Sequence, residues 1–156
     1  MGNGIPVAAV VTRKEISDSF AAMEYFNTFG GNSVSMVAGI AVLKTIHEEE
    51  LQHQALEVGN HLMNNLRLLM DKHPVIGDVR GHGLFIGVEM VRDKKTLEPA
   101  VPEIDDVVEK MKDRGFLIST DGPLHNVLKI KPPLVFTIEN SDELVKNLDE
   151  VLLEIG

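Results

Sequence analysis

Apolar residues recur at spacings of three and four along four stretches of the chain, which is the period of an amphipathic helix. The first helix is expected to open at Ser33 or Ser35 and to break at His47–Glu50, "HEEE". Pro74 is expected to end the second helix and Gly115 the third. The four apolar stripes are Val34, Val37 and Ala41; Leu51, Ala55, Val58, Leu62, Leu66 and Leu69; Ile104, Val107, Val108 and Met111; and Leu144, Leu148, Val151, Leu152 and Ile155.

Short apolar runs outside these helices predict strands. Val7–Thr12 is rich in valine and is expected to form a buried strand, and Leu84–Val91 a second one. Phe116–Ser119 and Val127–Ile130 predict two short strands around the turn "TDGPLHN". This order of strands and helices indicates an α/β chain whose C-terminal lobe is α+β, a small sheet packed with helices.

Capping residues predict where two of the helices begin. Thr12 and Glu15 have the three-residue spacing of a capping box, so a short helix is expected after Thr12, ending before Glu24. Asn140 or Ser141 is expected to cap the final helix.

The composition excludes several classes of protein. The chain has 156 residues, a net charge of −9 and 25% charged residues, a balance that is unsuited to binding nucleic acid. No apolar run reaches the roughly 18 residues that cross a bilayer, so no membrane partner is expected. The absence of cysteine excludes disulfides and thiolate metal sites and fits a reducing compartment.

Two further motifs are better explained by structure than by ligand binding. "GHGLFIG", Gly81–Gly87, has the spacing GxGxxxG and precedes a strand, whereas a dinucleotide fingerprint follows a strand and opens a helix. It is therefore expected to be a tight turn that positions Arg80. His53 and Glu57 are four residues apart, but they lie on a strongly acidic helix face that is expected to be solvated, and no metal site is predicted.

Lys129 and Lys131 alternate with Leu128 and Ile130, so both lysines point to one face of a strand. Taken alone, the pattern favours an edge strand that the lysines keep soluble. The alternative is an anion site, which Arg80 would help to form if the strands pair.

The loop "EYFNTFGGN", Glu24–Asn32, has the residues of a phosphate site. Gly30 and Gly31 allow backbone N–H groups to approach a ligand, and Thr28 offers a hydroxyl beside a helix N-terminus. By itself the pattern still favours an ordinary glycine-rich connection.

Four segments, taken together and in this order, resemble the C-terminal half of the class III pyridoxal-phosphate (PLP) aminotransferases. They are "MGNGIPVAAVVTRKEI", "EYFNTFGGNSVSMVAGIAVLKTI", "VRGHGLFIGVEMV" and "NVLKIKPPLVFT", and the likeness covers nearly all of the chain. It is closest to the alanine–glyoxylate aminotransferase 2-like branch, which includes phospho-lyases acting on phosphoethanolamine or 5-phosphohydroxylysine. The resemblance implies that residues 1–32 end the cofactor domain, residues 33–73 form connecting helices and residues 74–156 form the small domain.

The resemblance also implies roles for particular residues. Thr28 matches the threonine that hydrogen-bonds the cofactor phosphate of the neighbouring subunit, which implies a homodimer with shared active sites. Lys129 stands where many family members have the arginine that receives the substrate carboxylate, and it is the expected substrate-binding residue. Gly2–Gly4 matches the turn that follows the Schiff-base lysine. That lysine is expected upstream of Met1, so no catalytic residue is assigned within the chain.

The expected activity is amino-group transfer, or elimination of phosphate and ammonia from an amino-alcohol phosphate, with a small amine or amino acid as substrate. Because the Schiff-base lysine is expected outside it, the chain alone is expected to be inactive. The family occurs in mitochondria and in the cytosol. The alternatives are a non-catalytic dimerisation or interaction module from a truncated product, and a generic anion-binding α/β domain.

Overall fold

The computed structural model describes residues 1–155, which divide into one unit of residues 1–50 and a second unit from Leu51 onward. The first unit holds helices α1, Lys14–Ala21, and α2, Ser33–Glu48. The second unit is a small antiparallel sheet with three helices. Its elements are α3, Leu51–Lys72; β1, Ile76–His82; β2, Phe85–Asp93; β3, Glu98–Pro99; α4, Val101–Asp113; β4, Ser119–Asp121; β5, Val127–Ile130; and α5, Ile138–Ile155.

The first unit differs from the prediction at its N-terminal segment. Val7–Thr12 is extended but pairs with no strand among the described residues, and the side chains of Val10 and Val11 are exposed. The predicted strand is therefore wrong, since a strand needs a neighbouring backbone to satisfy its ladder of hydrogen bonds. The capping box is also wrong, because α1 begins one residue later than it requires, with Arg13 at the N-cap and no side-chain capping bond.

The break between the two long helices is confirmed. The chain leaves α2 at Glu48, and Glu50 adopts a positive φ of 51° before α3 begins at Leu51. A non-glycine residue in the left-handed region cannot continue an α-helix, so α2 and α3 are separate helices.

In the second unit, four strands form the sheet in the order β1-β2-β5-β4, with all neighbours antiparallel, and β3 pairs with the end of β2. The predicted strand Leu84–Val91 corresponds to β2, and Val127–Ile130 is confirmed as β5. The strand predicted at Phe116–Ser119 begins only at Ser119 and runs to Asp121. β1 was not predicted, because a register shift between Ile76 and Asp78 interrupts its alternation of apolar and polar residues.

The core lies between one face of the sheet and α3, α4 and α5. Strand residues that alternate in sequence supply the sheet side, and the predicted stripes of the three helices supply the other. The opposite face of the sheet carries charged residues and is open. The strand residues of the core are Ile76, Val79, Ile86, Val88, Met90, Leu128 and Ile130.

The final helix begins earlier than predicted. Thr137 Oγ1 accepts a hydrogen bond from the backbone N–H of Asn140 at 3.2 Å, and Asn140 Oδ1 accepts one from the Thr137 N–H at 3.2 Å. Thr137 is thus the capping residue, and the prediction of Asn140 or Ser141 is wrong by one turn. Ser141 instead lies inside the helix and is fully buried.

An ion-pair cluster joins the end of α3 to α5. Lys72 Nζ donates to Asp149 Oδ2 at 2.6 Å, and Nε2 of the buried His73 lies 2.6 Å from Asp149 Oδ1. The hydrogen bonds from Lys72 and then His73 hold the pKa of Asp149 below its ordinary value of 3.8. A lowered folded-state pKa means that the cluster stabilises the fold above the unfolded pKa and is lost as the pH falls through the folded one.

We expect Asp149→Asn to lower the free energy of unfolding at pH 7, and the difference from the unsubstituted chain to shrink as the pH falls below about 4 and to vanish below the folded-state pKa of Asp149. Urea denaturation at a series of pH values measures this difference. Asp71→Asn, an exposed neighbour in α3, makes the same change of net charge and is the control. A difference that stays constant down to pH 3 would show that the carboxylate charge of Asp149 does not stabilise the fold.

Candidate functional site

The loop that carries Thr28 is ordered by two asparagines. Asn27 Oδ1 accepts hydrogen bonds from the backbone N–H groups of Phe29, at 3.1 Å, and Gly30, at 3.0 Å. Asn32 caps α2 by accepting the N–H of Ser35 at 3.1 Å. The Thr28 side chain is exposed at the turn between these two fixed points.

This geometry changes the expectation for the two glycines. The Gly30 N–H is used inside the loop by Asn27, so it is not presented to a ligand. Gly31 has a φ of 71°, which favours glycine, and it turns the chain into α2. Asn27 was not predicted from the sequence, although asparagine commonly bonds to backbone N–H groups two and three residues on, and that preference could have identified it.

The "GNG" segment forms a tight turn. The Ile5 N–H donates to the Gly2 carbonyl at 3.1 Å, and the two residues between them, Asn3 and Gly4, have φ values of 47° and 101°. A four-residue turn with positive φ at both central positions needs asparagine and glycine there.

Lys129 lies in β5, between β2 and β4, so it is on a central strand and the edge-strand interpretation is wrong. Its neighbours Leu128 and Ile130 are buried against the helices, as the alternation predicted, and Lys129 points to the opposite face. The register places Arg80, Gly87 and Lys129 in one row across β1, β2 and β5. Cross-strand partners share a face of the sheet, so the structure brings the two cations together on the open face, with only a glycine between them.

An open groove of about 470 Å³ runs over this row. Gly87 has no side chain, and a Cβ placed there would come within 3.1 Å of Val127 Cγ1, so the glycine keeps the floor of the groove low. The lining combines apolar and charged groups: Arg80, Gly81, His82, Phe85, Ile86, Gly87, Asp121, Gly122, Val127 and Lys129.

Both cations of the groove hold carboxylate partners. Arg80 Nη1 donates to Asp78 and to Glu89, each at 2.6 Å, and these two bonds raise the pKa of the guanidinium further above its ordinary value. Lys129 Nζ donates to Asp121 Oδ2 at 2.8 Å. This bond, together with the Gly122 N–H, lowers the pKa of Asp121, which is therefore ionised at neutral pH. An anion entering the groove competes with carboxylates that are already present.

Residues 1–155 contain no helix that is both long enough and apolar enough to cross a membrane. No three histidine, aspartate or glutamate side chains among them come together in a way that could hold a metal ion.

Comparison with known proteins decides the family. The sequence profile named "Aminotransferase class-III" matches residues 1–152. The chain belongs to the class III aminotransferase family.

Curated relatives within this family match the branch that the four segments resembled. The class III chain is 49% identical over 149 residues to alanine–glyoxylate aminotransferase 2 homolog 2, mitochondrial, of Arabidopsis thaliana, covering 96% of the chain and 31% of the relative. It is 47% identical over 154 residues to ethanolamine-phosphate phospho-lyase homolog 1 of Caenorhabditis elegans, covering 97% and 33%. The chain thus spans about a third of the length of the curated relatives it matches.

Solved structures of the family share the fold. A phospholyase from Arthrobacter in complex with phosphoethanolamine superposes with a TM-score of 0.92 at 41% identity, over 98% of this chain and 36% of that one. An amine transaminase from an uncultivated Pseudomonas species, in its PLP-bound form, superposes with a TM-score of 0.81 at 28% identity, over 92% and 34%. The class III fold expected from the sequence is confirmed.

Proposed function

We propose that this chain is part of a PLP-dependent class III enzyme whose reaction is the elimination of phosphate and ammonia from an amino-alcohol phosphate. The observation that carries the proposal is the likeness to the phosphoethanolamine-bound phospholyase over 98% of the chain. Amino-group transfer is the other reaction of the family, and alanine–glyoxylate aminotransferase 2 homologues are about as similar in sequence.

Lys129 is the residue that favours the phosphorylated substrate. Arginine presents a planar fork that suits a carboxylate, whereas lysine is a point charge. Phosphoethanolamine has no carboxylate, so replacing arginine by lysine at this position removes no contact with this substrate. The placement of Lys129 on the open face of the sheet, in a groove of about 470 Å³, supports its role as the group that receives the anionic end of the substrate.

The chain alone is inactive under this proposal. PLP, when bound, supplies an electron sink at the substrate carbon, and it needs an enzyme lysine to hold it. We infer, from the family resemblance, that this lysine precedes the Gly2–Gly4 turn in the full-length protein. The coverage of only about a third of each relative supports this view.

Thr28 is the residue that would contact the cofactor. Its exposed hydroxyl lies on a loop that Asn27 and Asn32 hold in place, next to the N-terminal end of a 16-residue helix. A hydroxyl beside a helix N-terminus can donate a hydrogen bond to a phosphate oxygen. We assign Thr28 to the PLP phosphate held by the neighbouring subunit, which makes the full-length enzyme a homodimer with shared active sites.

We infer the domain boundaries from the family resemblance. Residues 1–32 end the PLP domain, residues 33–73 form the connecting helices, and residues 74–156 form the small domain. The compartment is the mitochondrion or the cytosol; two relatives are named as mitochondrial.

A dimerisation or interaction module without catalysis is a second candidate, and the surface of the first unit favours it. Phe26 and Phe29 are each 86% exposed, and α2 exposes Val34, Val37 and Ile40. Apolar surface of this kind is covered in a functional assembly. If the module were the true function, the 156-residue chain would form a stable dimer in sedimentation experiments and the full-length protein would lack activity.

The reaction is tested with the full-length enzyme loaded with PLP. With phosphoethanolamine and water as reactants, we expect phosphate, ammonia and a two-carbon aldehyde in equal amounts, because the C–O bond to phosphate and the C–N bond are both broken. Transfer of the amino group from alanine to glyoxylate is expected to be at least tenfold slower than phosphate release at equal substrate concentration. Faster transfer than phosphate release would show that the enzyme is an aminotransferase.

Thr28→Ala in the full-length enzyme is expected to weaken PLP binding about tenfold, the effect of losing one hydrogen bond to a charged group. The dissociation constant is measured by the absorbance of bound cofactor after dialysis. Ser35→Ala, which removes a hydroxyl in the first turn of the same helix, is the control. Unchanged cofactor affinity in Thr28→Ala would remove this residue from the site.

A further inference from the structure

We propose that Asp121 is a positioning residue that sets the anion affinity of the groove, by acting as a built-in competitor for Lys129. The inference rests on the proposed function in one respect, namely that Lys129 is the group that receives the substrate anion. It adds a residue that neither the family resemblance nor the sequence pattern assigns. Asp121 lies at the end of β4, and its carboxylate lines the same groove as Lys129.

The Asp121 carboxylate is fixed through both of its oxygens. Oδ2 accepts from Lys129 Nζ at 2.8 Å, and Oδ1 accepts from the backbone N–H of Gly122 at 2.8 Å. Gly122 has a φ of 85°, so the backbone at this point has a conformation that glycine favours and that few substitutions could share. A fixed acceptor holds a flexible lysine in one place before any ligand arrives, which lowers the entropy lost on binding.

The same carboxylate weakens the attraction of the groove for anions. The ion pairs on the open face of the sheet join Lys129 to Asp121 on β4, and Arg80 on β1 to Asp78 and to Glu89 on β2. His125 lies in the turn before β5 and is close enough to influence Asp121. Asp78 and Glu89 both pair with Arg80, so Asp121 is the carboxylate that neutralises Lys129.

The effect of removing this competitor depends on the charge of the ligand. The Coulomb energy between a ligand and a carboxylate is proportional to the charge of the ligand. For two unit charges about 4 Å apart in water this energy is about 1 kcal/mol, which changes the affinity about fivefold. Asp121→Asn removes the negative charge and keeps one oxygen, which can accept from either Lys129 or Gly122. The gain should therefore be about fivefold for acetate and about 25-fold for the dianion of methyl phosphate, and it should shrink in 1 M salt.

The test is an NMR titration of the 156-residue chain with methyl phosphate and with acetate at pH 8 and constant ionic strength, following the backbone N–H signal of Gly87, which lines the groove and is present in every variant. Asp106→Asn changes the net charge equally at an exposed position of α4 outside the groove, and no gain is expected from it. The chains to compare are the unsubstituted one, Asp121→Asn, Lys129→Met, the Asp121→Asn/Lys129→Met double variant and the Asp106→Asn control.

The proposal is supported if Asp121→Asn raises the affinity for methyl phosphate more than the affinity for acetate. It also requires that this gain in affinity disappears when Lys129→Met is present. It is overturned if Asp121→Asn binds both anions as the unsubstituted chain does while Lys129→Met abolishes binding; the assignment of Lys129 would then stand. If Lys129→Met changes neither anion's binding in either background, the role of Lys129 itself is wrong, and the proposed function loses its anion site together with this inference.

Discussion

Gly59→Ala is expected to destabilise the unit from Leu51 onward by about 2 kcal/mol, although alanine is the better helix former. Gly59 lies inside α3, and a Cβ at this position would be 2.1 Å from the Gly83 carbonyl oxygen and 2.7 Å from Gly83 Cα. These are backbone atoms of the β1–β2 turn, where Gly83 has a φ of 53°, so they cannot rotate away as a side chain would. Overpacking costs about 3 kcal/mol in such a case, against a helix-propensity gain of about 1 kcal/mol.

The measurement is urea denaturation of the 156-residue chain followed by circular dichroism. Gly39→Ala is the matched control, because Gly39 is also a helix-interior glycine, but a Cβ there would meet its nearest neighbour, Val7 Cγ1, at an ordinary 3.5 Å. The control is expected to be neutral or stabilising by up to about 1 kcal/mol. If Gly59→Ala is tolerated as well as Gly39→Ala, α3 and the turn are not in close backbone contact.

Lys129→Ala in the full-length enzyme is expected to lower kcat/KM for phosphoethanolamine about 100-fold, the loss of one charge-assisted hydrogen bond to the anionic end of the substrate. The fold should be little affected, because Lys129 is on the open face and its bond to Asp121 is partly exposed to solvent. Steady-state phosphate release measures the loss. Lys131→Ala removes an exposed lysine two residues along the chain, outside the groove, and serves as the control.

Lys129→Arg tests the chemical reason for the lysine. The guanidinium keeps the charge and adds a bidentate fork, so transfer from alanine to glyoxylate is expected to rise while phosphate release is largely retained. If the arginine variant gains nothing with amino acids, the argument from carboxylate geometry fails, even where Lys129→Ala is inactive.

The helices were predicted best because each carries its own periodic stripe. The stripes of α3, α4 and α5 coincide with the buried residues of the second unit. The strands were predicted unevenly. Their period of two is easily interrupted: the register shift between Ile76 and Asp78 hides β1. At Val7–Thr12 an apolar run does not become a strand, because no neighbouring backbone among the described residues pairs with it.

For the candidate residues too, local features were predicted from the sequence and long-range contacts were not. The alternation around Lys129 correctly predicted that its side chain leaves the core, since that depends only on the pleat of its own strand. Its central position depends on pairing with β2 and β4, which the local pattern does not contain. Thr28 could be noticed from the sequence, and the bonding preference of asparagine could have indicated Asn27, but only the folded loop shows that Asn27 uses the Gly30 N–H.

The amino-acid sequence by itself determined the helical stripes, the face of Lys129 and, through its resemblance, the class III family. Only the tertiary structure decided that Arg80 and Lys129 share one groove and that Asp121 holds the lysine. The physical reason is the range of the interactions involved. Side-chain periodicity is a property of neighbouring residues, but which strands pair, and therefore which charges meet, depends on burying the whole set of apolar faces at once.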